Sequence, residues 1–488
     1  MRRSLASLLA ATVAALPLTA LAQTPTPAPE QPTQATPAPA PEQATPTPPA
    51  VPAPAPAPAA PSKVTFTPYG FILTNAFMSA SAFAADDYPQ YVVKPGATND
   101  RSFLLSSRYN RIGVKIGGTE AMGAKLNAVL EADFGFGFVV SAGQNVLSST
   151  QAANFDFYKP IARMRLGYVT ATWGDPDAKL TMLMGMDYGL VNPLFAVTLG
   201  YIGTPLFQNA GNLYSRSPQL KLTGELGKDN GVTAAISVSD PMDQNVFANQ
   251  GTNEETPTLS SGNRSRVPEL EARVAGRFKS EMASGEVGVS GGYHKERYLL
   301  GTYTGATAST TTGAITAATF TPNGNWVDLD SLLGGVDAVF KFPFVEVRGE
   351  GFIGHNGDMY FAHLGQGGVN AVTATGGVLT NVRNKRSKGF WAQGIISPVD
   401  FIQLTGGYGL EVPFGEDIII SGNNASARTR NSMASAGIIV LASKALKFSL
   451  EGAYTYTATK TTNATGVLSA FDTRLKGYQT VLSSQYTF

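Results

Sequence analysis

From Val64 to Phe488 the chain repeats one pattern: a segment of apolar–polar alternation, then a connection, with short and long connections taking turns. Side chains on a strand point to opposite faces with period two, so each segment has one apolar and one polar face. The clearest examples lie between Arg108 and Trp173. There Ile112, Val114 and Ile116 alternate with Arg111, Gly113 and Lys115. Leu126, Ala128, Leu130, Ala132 and Phe134 alternate with Lys125, Asn127, Val129, Glu131 and Asp133. In a third segment Met164, Leu166 and Tyr168 are expected to oppose Arg163, Arg165 and Gly167. A single amphipathic sheet in a soluble protein shows the same alternation, so the deciding feature is its recurrence.

The short connections begin near Gly117, Gly174, Gly227, Ser280, Pro343, Ser397 and Ala442, with Gly, Pro, Asp and Asn supplying tight-turn geometry. The long ones are Gly-, Ser- and Thr-rich and fall at 81–107, 139–159, 187–215, 240–266, 295–330, 355–388, 413–429 and 459–475. This spacing gives about sixteen strands with both termini on the short side, the topology of a bacterial outer-membrane barrel. Composition agrees. Charged residues are 15% and aromatics 10% of the chain, Gly is abundant at 52, and mean hydropathy is near zero. Such a profile suits strands whose residues face lipid and water by turns. No apolar run beyond the N-terminus is long enough for a transmembrane helix. A formal net charge of +1 excludes a strongly basic nucleic-acid binder, and the absence of cysteine excludes disulfides and thiolate chemistry.

The expected organisation is therefore all-β: a transmembrane antiparallel β-barrel over residues 63–488, preceded by a signal peptide and a disordered Pro/Ala-rich linker. Arg2 and Arg3, the apolar run Leu5 to Leu16, and Ala20-Leu21-Ala22 read as a signal peptide over 1–22, cleaved after Ala22. Residues 23–62, almost wholly Pro, Ala, Thr, Gln and Glu, cannot bury a core and read as a PPII-like spacer.

A charge facing lipid at mid-depth costs about 2–4 kcal/mol. Arg111, Lys115, Lys125, Glu131, Asp133, Arg163 and Arg165, with Lys221 and Glu225 further along, are therefore expected to line a wet lumen. Two arrangements remain open: a basic ladder across the pore from the carboxylates, or a wall of salt bridges. Glu269, Glu271, Arg273, Arg277 and Lys279, and again Glu346, Arg348 and Glu350, read as balanced structural networks. His294, His355 and His363 are the only histidines. Their surroundings suggest neither an enzyme nor a metal site, and no cofactor is expected.

The strands SSRYNRIGVKI, AKLNAVLEADFGFGF and ARMRLGYVTATWG, through Ser107, Arg108, Arg111, Gly113, Glu131, Asp133, Phe134, Arg163, Arg165 and Trp173, resemble trimeric bacterial porins, and among them the DcaP-like group. The N-terminal tract departs from that group, since it has no heptads for a coiled coil. The resemblance implies a sixteen-stranded homotrimer in the Gram-negative outer membrane, in contact with lipid and lipopolysaccharide, that passes ions and small polar solutes. The terminal Gln485-Tyr486-Thr487-Phe488 resembles the signal read by the barrel-assembly machinery. Other readings are a specific channel for sugars or dicarboxylates, and an adhesin or receptor barrel.

The third long connection, 187–215, differs from the rest in being apolar and aromatic. A solvated loop has no reason to carry such a surface. In the porins that the chain resembles, the third loop folds inward and narrows the pore. Asp187, Tyr188, Leu194, Phe195, Tyr201 and Phe207 are accordingly expected at a constriction, with an interface latch or a strand extension as the alternative.

Overall fold

A computed structural model describes residues 64–87, 90–94, 101–136, 161–241, 266–304, 307–308, 315–316, 319–365, 384–417, 426–461, 469 and 472–488. The expected signal peptide and linker lie outside the described residues, as do the second long loop and most of the fourth.

In chain order the first strands are β1 (Thr65–Ser79), β2 (Ser102–Ser106), β3 (Arg111–Ala121), β4 (Ala124–Phe136) and β5 (Ile161–Gly174). They are followed by β6 (Ala178–Tyr188), β7 (Arg216–Leu226), β8 (Gly231–Ser239), β9 (Glu269–Lys279) and β10 (Ser284–Thr304). A small separate hairpin, β11 (Thr307–Ala308) with β12 (Ile315–Thr316), precedes β13 (Thr319–Lys341), β14 (Val345–His355) and β15 (Arg386–Val399). The last four are β16 (Ile402–Pro413), β17 (Ser426–Leu441), β18 (Leu446–Thr461) and β19 (Thr473–Thr487).

Seventeen of these form one antiparallel sheet that closes on itself through β1 and β19. Because β1 pairs with β3 along its first half and with β2 along its second, those two share one position, and the barrel has sixteen staves. At the seam Gly70 and Phe488 exchange both backbone hydrogen bonds at 3.1 Å, so the final residue completes the ladder. Full closure leaves no unpaired edge, which a hydrocarbon environment requires.

Outward positions carry the apolar set on every side: Ile72, Ile112, Leu130, Met184, Ile236, Val274, Val336, Ile353, Ile438, Leu450 and Leu482 are all exposed. The apolar core lies inside the barrel, where three of the long loops fold in. These are 80–87 and 90–94 of L1 (80–101), L3 (189–215), and 356–365 with 384–385 of L6 (356–385). L3 packs Tyr201, Leu206 and Phe207 against Phe77, Trp391, Met433 and Val481. L6 packs Met359 and Tyr360 with Val191 and Leu213 of L3 against Leu333 and Phe352.

Several strand pairs carry register shifts, and the one in β5 bears on the site. In β5 the register with β4 slips at Arg165, so Glu131 faces Leu166 while Ala132 faces Met164. Arg163 and Arg165 both point inward, as period two requires, and the extra residue puts Leu166 and Tyr168 on the inner face too, where strict period two assigned them to lipid.

Candidate functional site: the barrel interior

The inner face of β3, β4 and β5 carries a dense ion-pair group. Glu131 and Asp133 are buried next to each other on β4. Arg163 donates to Asp133 at 2.6 Å, and Arg165 bridges both acids, at 2.7 Å to Asp133 and 3.2 Å to Glu131. Arg111 lies 3.4 Å from Glu131, and the Tyr69 hydroxyl donates to the same carboxylate at 3.0 Å. The arginines and the acids thus share one wall, and the ladder facing its acids across the lumen is not what forms. The cause is register: Arg111 pairs with Asp133 on one side, and Asp133 with Arg163 on the other.

The remaining expected positions also lie inward. Lys221 donates to Asp187 at 2.5 Å, and Lys179 sits 2.7 Å from Glu225. Lys115 lies over the Tyr69 ring at 5.1 Å, and Lys125 pairs in register with Thr172. Asp187 and Tyr188, expected in the third loop, are instead the last residues of β6, since the β6–β7 ladder runs up to Tyr188 opposite Arg216.

L3 crosses the interior as a belt. From the end of β6 it runs along the inside of the opposite wall, fastened by backbone amides that donate to wall side chains. Leu190 donates to Glu271 of β9 at 2.7 Å, and Leu194 to Glu350 of β14. Val197 exchanges two hydrogen bonds with Gln393 of β15. Leu199 and Gly200 donate to Glu451 of β18 at 2.9 and 2.8 Å, and the Thr198 hydroxyl adds a third bond to that carboxylate. Asn75 of β1 closes the belt by donating to the Gly200 carbonyl at 3.0 Å. Glu271 and Glu350 therefore hold the loop, where the sequence suggested balance within the wall. An extended loop has no ladder of its own, and its buried amides need these acceptors.

The wall makes room for the belt with inward glycines. A Cβ on Gly335 would come within 1.8 Å of Asn192, and one on Gly409 within 2.2 Å of the Ala210 carbonyl. In L3 itself Gly211 has φ +100° and lies against the Phe390 backbone. Phe207 stacks on Trp391 at 5.7 Å between ring centroids.

L6 was not singled out in the sequence. Its Tyr360 donates to Glu269, and Phe361 stacks on Tyr214 of L3 at 4.7 Å with the rings almost parallel. Burial pushes the Tyr360 and Tyr201 hydroxyls well above the usual phenol range. His363 accepts from the Gly357 amide at 2.7 Å; burial, with Lys385 nearby, lowers it to about 3, so it is neutral in any ordinary medium. His355 ends β14, paired with Arg386. His294 is buried on β10, 3.5 Å from Glu296. No cluster of metal-ligating side chains forms among the described residues. The apolar residues Met359, Tyr360, Phe361 and Leu364 were the available signal for L6, by the argument that singled out L3.

Between the belt and the β3–β7 wall a cavity of about 180 Å³ is lined by Arg111, Arg165, Arg216, Tyr188, Phe195, Tyr201 and Tyr214. Arg165 also donates to the Tyr188 hydroxyl at 2.6 Å, and Arg216 lies over that ring. Three guanidinium groups (Arg111, Arg165 and Arg216) and, among the described residues, no carboxylate line it, so the lining itself is positive.

No family model matches the chain, and no curated protein matches it. Among solved structures, the outer membrane channel DcaP of Acinetobacter baumannii is similar over 87% of this chain and 97% of its own, with 15% identity and a TM-score of 0.53. OmpT of Vibrio cholerae aligns over 87% and 98% at 10% identity with a TM-score of 0.48. The anion-selective porin from Comamonas acidovorans aligns over 87% and 100% at 12% identity with a TM-score of 0.46. The likeness to DcaP carries the fold, a closed antiparallel β-barrel of sixteen strands.

Proposed function

We propose that the chain is a passive diffusion channel of the Gram-negative outer membrane for ions and small hydrophilic solutes. Its conducting gap runs between the L3 belt and the β3–β7 wall. The observation that carries this reading is the belt itself: eight hydrogen bonds to the wall are unnecessary for a loop whose task lies outside the barrel, whereas a narrowing element has to be held in place. In this reading Arg111, Lys115, Lys125, Glu131, Asp133, Arg163, Arg165, Lys221 and Glu225 line the path. Leu194, Phe195, Tyr201 and Phe207 form the constriction, with Asp187 and Tyr188 at its root.

The excess of guanidinium charge favours small anions. The arginines gathered beside Tyr188 and Tyr214 also support a second reading, a channel specific for dicarboxylates. The chain is exported by a signal peptide cleaved after Ala22, is assembled through its C-terminal strand, and works as a homotrimer. Reconstitution in planar bilayers tests the proposal: discrete ohmic steps are expected, and block of the current by a dicarboxylate separates the specific channel from the general one. A protein that folds as a barrel and passes no current would instead point to an adhesin or receptor.

A further inference from the structure

The outside of the barrel at its long-loop end is charged very unevenly. On β10 and β13 the outward cations are neutralised in register: Lys295 faces Asp330, and Arg297 lies 3.2 Å from Asp328. On β15 Arg386 is paired with Asp417 at 2.7 Å. On β17, β18 and β19 no such pairing exists among the described residues. A register slip between Arg428 and Arg430 turns Arg428 inward, where it donates to the Leu364 carbonyl, and leaves Arg430 exposed on the outside.

Arg430 and Arg474 both pair in register with Ala458, one from each side. Two strand spacings separate them by about 10 Å. Lys476 lies two residues further along β19 on the same face, and Lys460 two residues beyond Ala458 on β18. Ala458 is outward by alternation and yet only 3% exposed, so the neighbouring side chains roof it. The sequence of the two long loops beside this patch adds no further acid beyond Glu416, Asp417 and Asp472. Asp417 holds Arg386, and Asp472 accepts from the Thr429 hydroxyl at 3.0 Å.

Tyr456 stands level with Lys476, and one step below it Tyr454 and Tyr478 face each other, 4.8 Å apart between ring centroids. Arg430 reaches over the Tyr456 ring at 5.8 Å. Leu450 and Leu482 continue the face below them, both more than half exposed. The order from the rim downward is therefore cations, aromatic row, aliphatic surface. Aromatic residues mark the level of the headgroups, and basic residues just beyond them meet anionic lipid.

We propose that the outward face of β17–β19 is a binding site for the phosphorylated glycolipid of the outer leaflet. Arg430, Lys460, Arg474 and Lys476 clamp its phosphates, Tyr454, Tyr456 and Tyr478 lie beside the sugar, and Leu450 and Leu482 meet its acyl chains. Guanidinium groups offer paired donors that suit phosphate oxygens, and the two that flank Ala458 stand on the same outward face. The site rests on the outer-membrane reading given above, which sets the long loops on the outer side.

The test compares the wild type with R430Q/K460Q/R474Q/K476Q in detergent, titrated with bisphosphorylated lipid A and with lipid A from which both phosphates have been removed. The wild type should prefer the phosphorylated form, and the variant should bind it more than about tenfold less tightly. A control, K228Q/K444Q, removes two charges from turns at the opposite rim and should bind as the wild type does. Heat-modifiable migration and wild-type conductance of the quadruple variant establish that it has folded. Equal affinity for the two lipids, or an unchanged affinity of the folded quadruple variant, would overturn the site. Efficient cross-linking of a cysteine at position 460 to a neighbouring copy would do so too, because the face would then be a subunit contact. A wild type that selects the phosphorylated lipid yet passes no current would remove the channel reading and leave this one standing.

Discussion

At the scale of single residues, the arginine wall and the acids that hold L3 do different work and predict different failures. Replacing Arg111, Arg163 and Arg165 by Ala leaves Glu131 and Asp133 uncompensated, so reversal potentials in a KCl gradient should move toward cation preference. The permeability ratio should change by roughly threefold at low salt and by less at high salt, where screening is short-ranged. R216Q gives a smaller shift in the same direction, since Arg216 forms no ion pair with either acid among the described residues. Potentials that stay fixed in both variants would mean that the path lies elsewhere. Glu451 is the opposite case: its part is to accept the Thr198 hydroxyl and the Leu199 and Gly200 amides. E451A orphans these donors at about 1–3 kcal/mol each. Single-channel records of E451A should show noisier and larger openings, while E451Q, which keeps an acceptor, should lie between. Quiet wild-type openings in E451A would show that the belt does not depend on this anchor.

At the scale of elements, the strands were readable because alternation, turn chemistry and spacing all report the same two-faced geometry. The β5 bulge was not, since a single inserted residue leaves the composition of the strand unchanged and shows only in the register of Glu131 and Ala132 with their partners. The inward course of L3 was readable from Leu194, Phe195, Tyr201 and Phe207, which have no place in water. Its fastening to Glu271, Glu350 and Glu451 was not, because those acids lie 81, 156 and 251 residues from the amides they accept. Such a pairing has no local signature. If L3 narrows the path, deleting Val191 to Gly203 should raise conductance severalfold and admit larger solutes, with trimers intact. Unchanged conductance together with weakened trimers would assign the loop to the subunit interface instead.

At the scale of the whole molecule, small residues flatten part of the outer wall: Gly349, Gly351, Ala392 and Gly394 lie outward on β14 and β15, with Gly406 next to Gly394 on β16. Space around Gly394 and Gly406 is open, so a neighbouring barrel has room to approach the backbone. Unboiled electrophoresis should show a trimer that boiling converts to monomer, and G394L/G406L should lower the temperature of that conversion by several degrees. A monomer band alone, with cross-linking also negative, would exclude this arrangement. The belt bears on assembly as well. Its anchors on β14, β15 and β18 are made after L3 in the chain, and β1, which takes the last contact, meets β19 only when the cylinder shuts. Contacts of such sequence separation form late, because the intervening chain has to be ordered first. If the chain is the channel proposed above, the newly inserted cylinder is wide before it is narrow, and the time between closure and belt docking is an interval in which the membrane is at its most permeable.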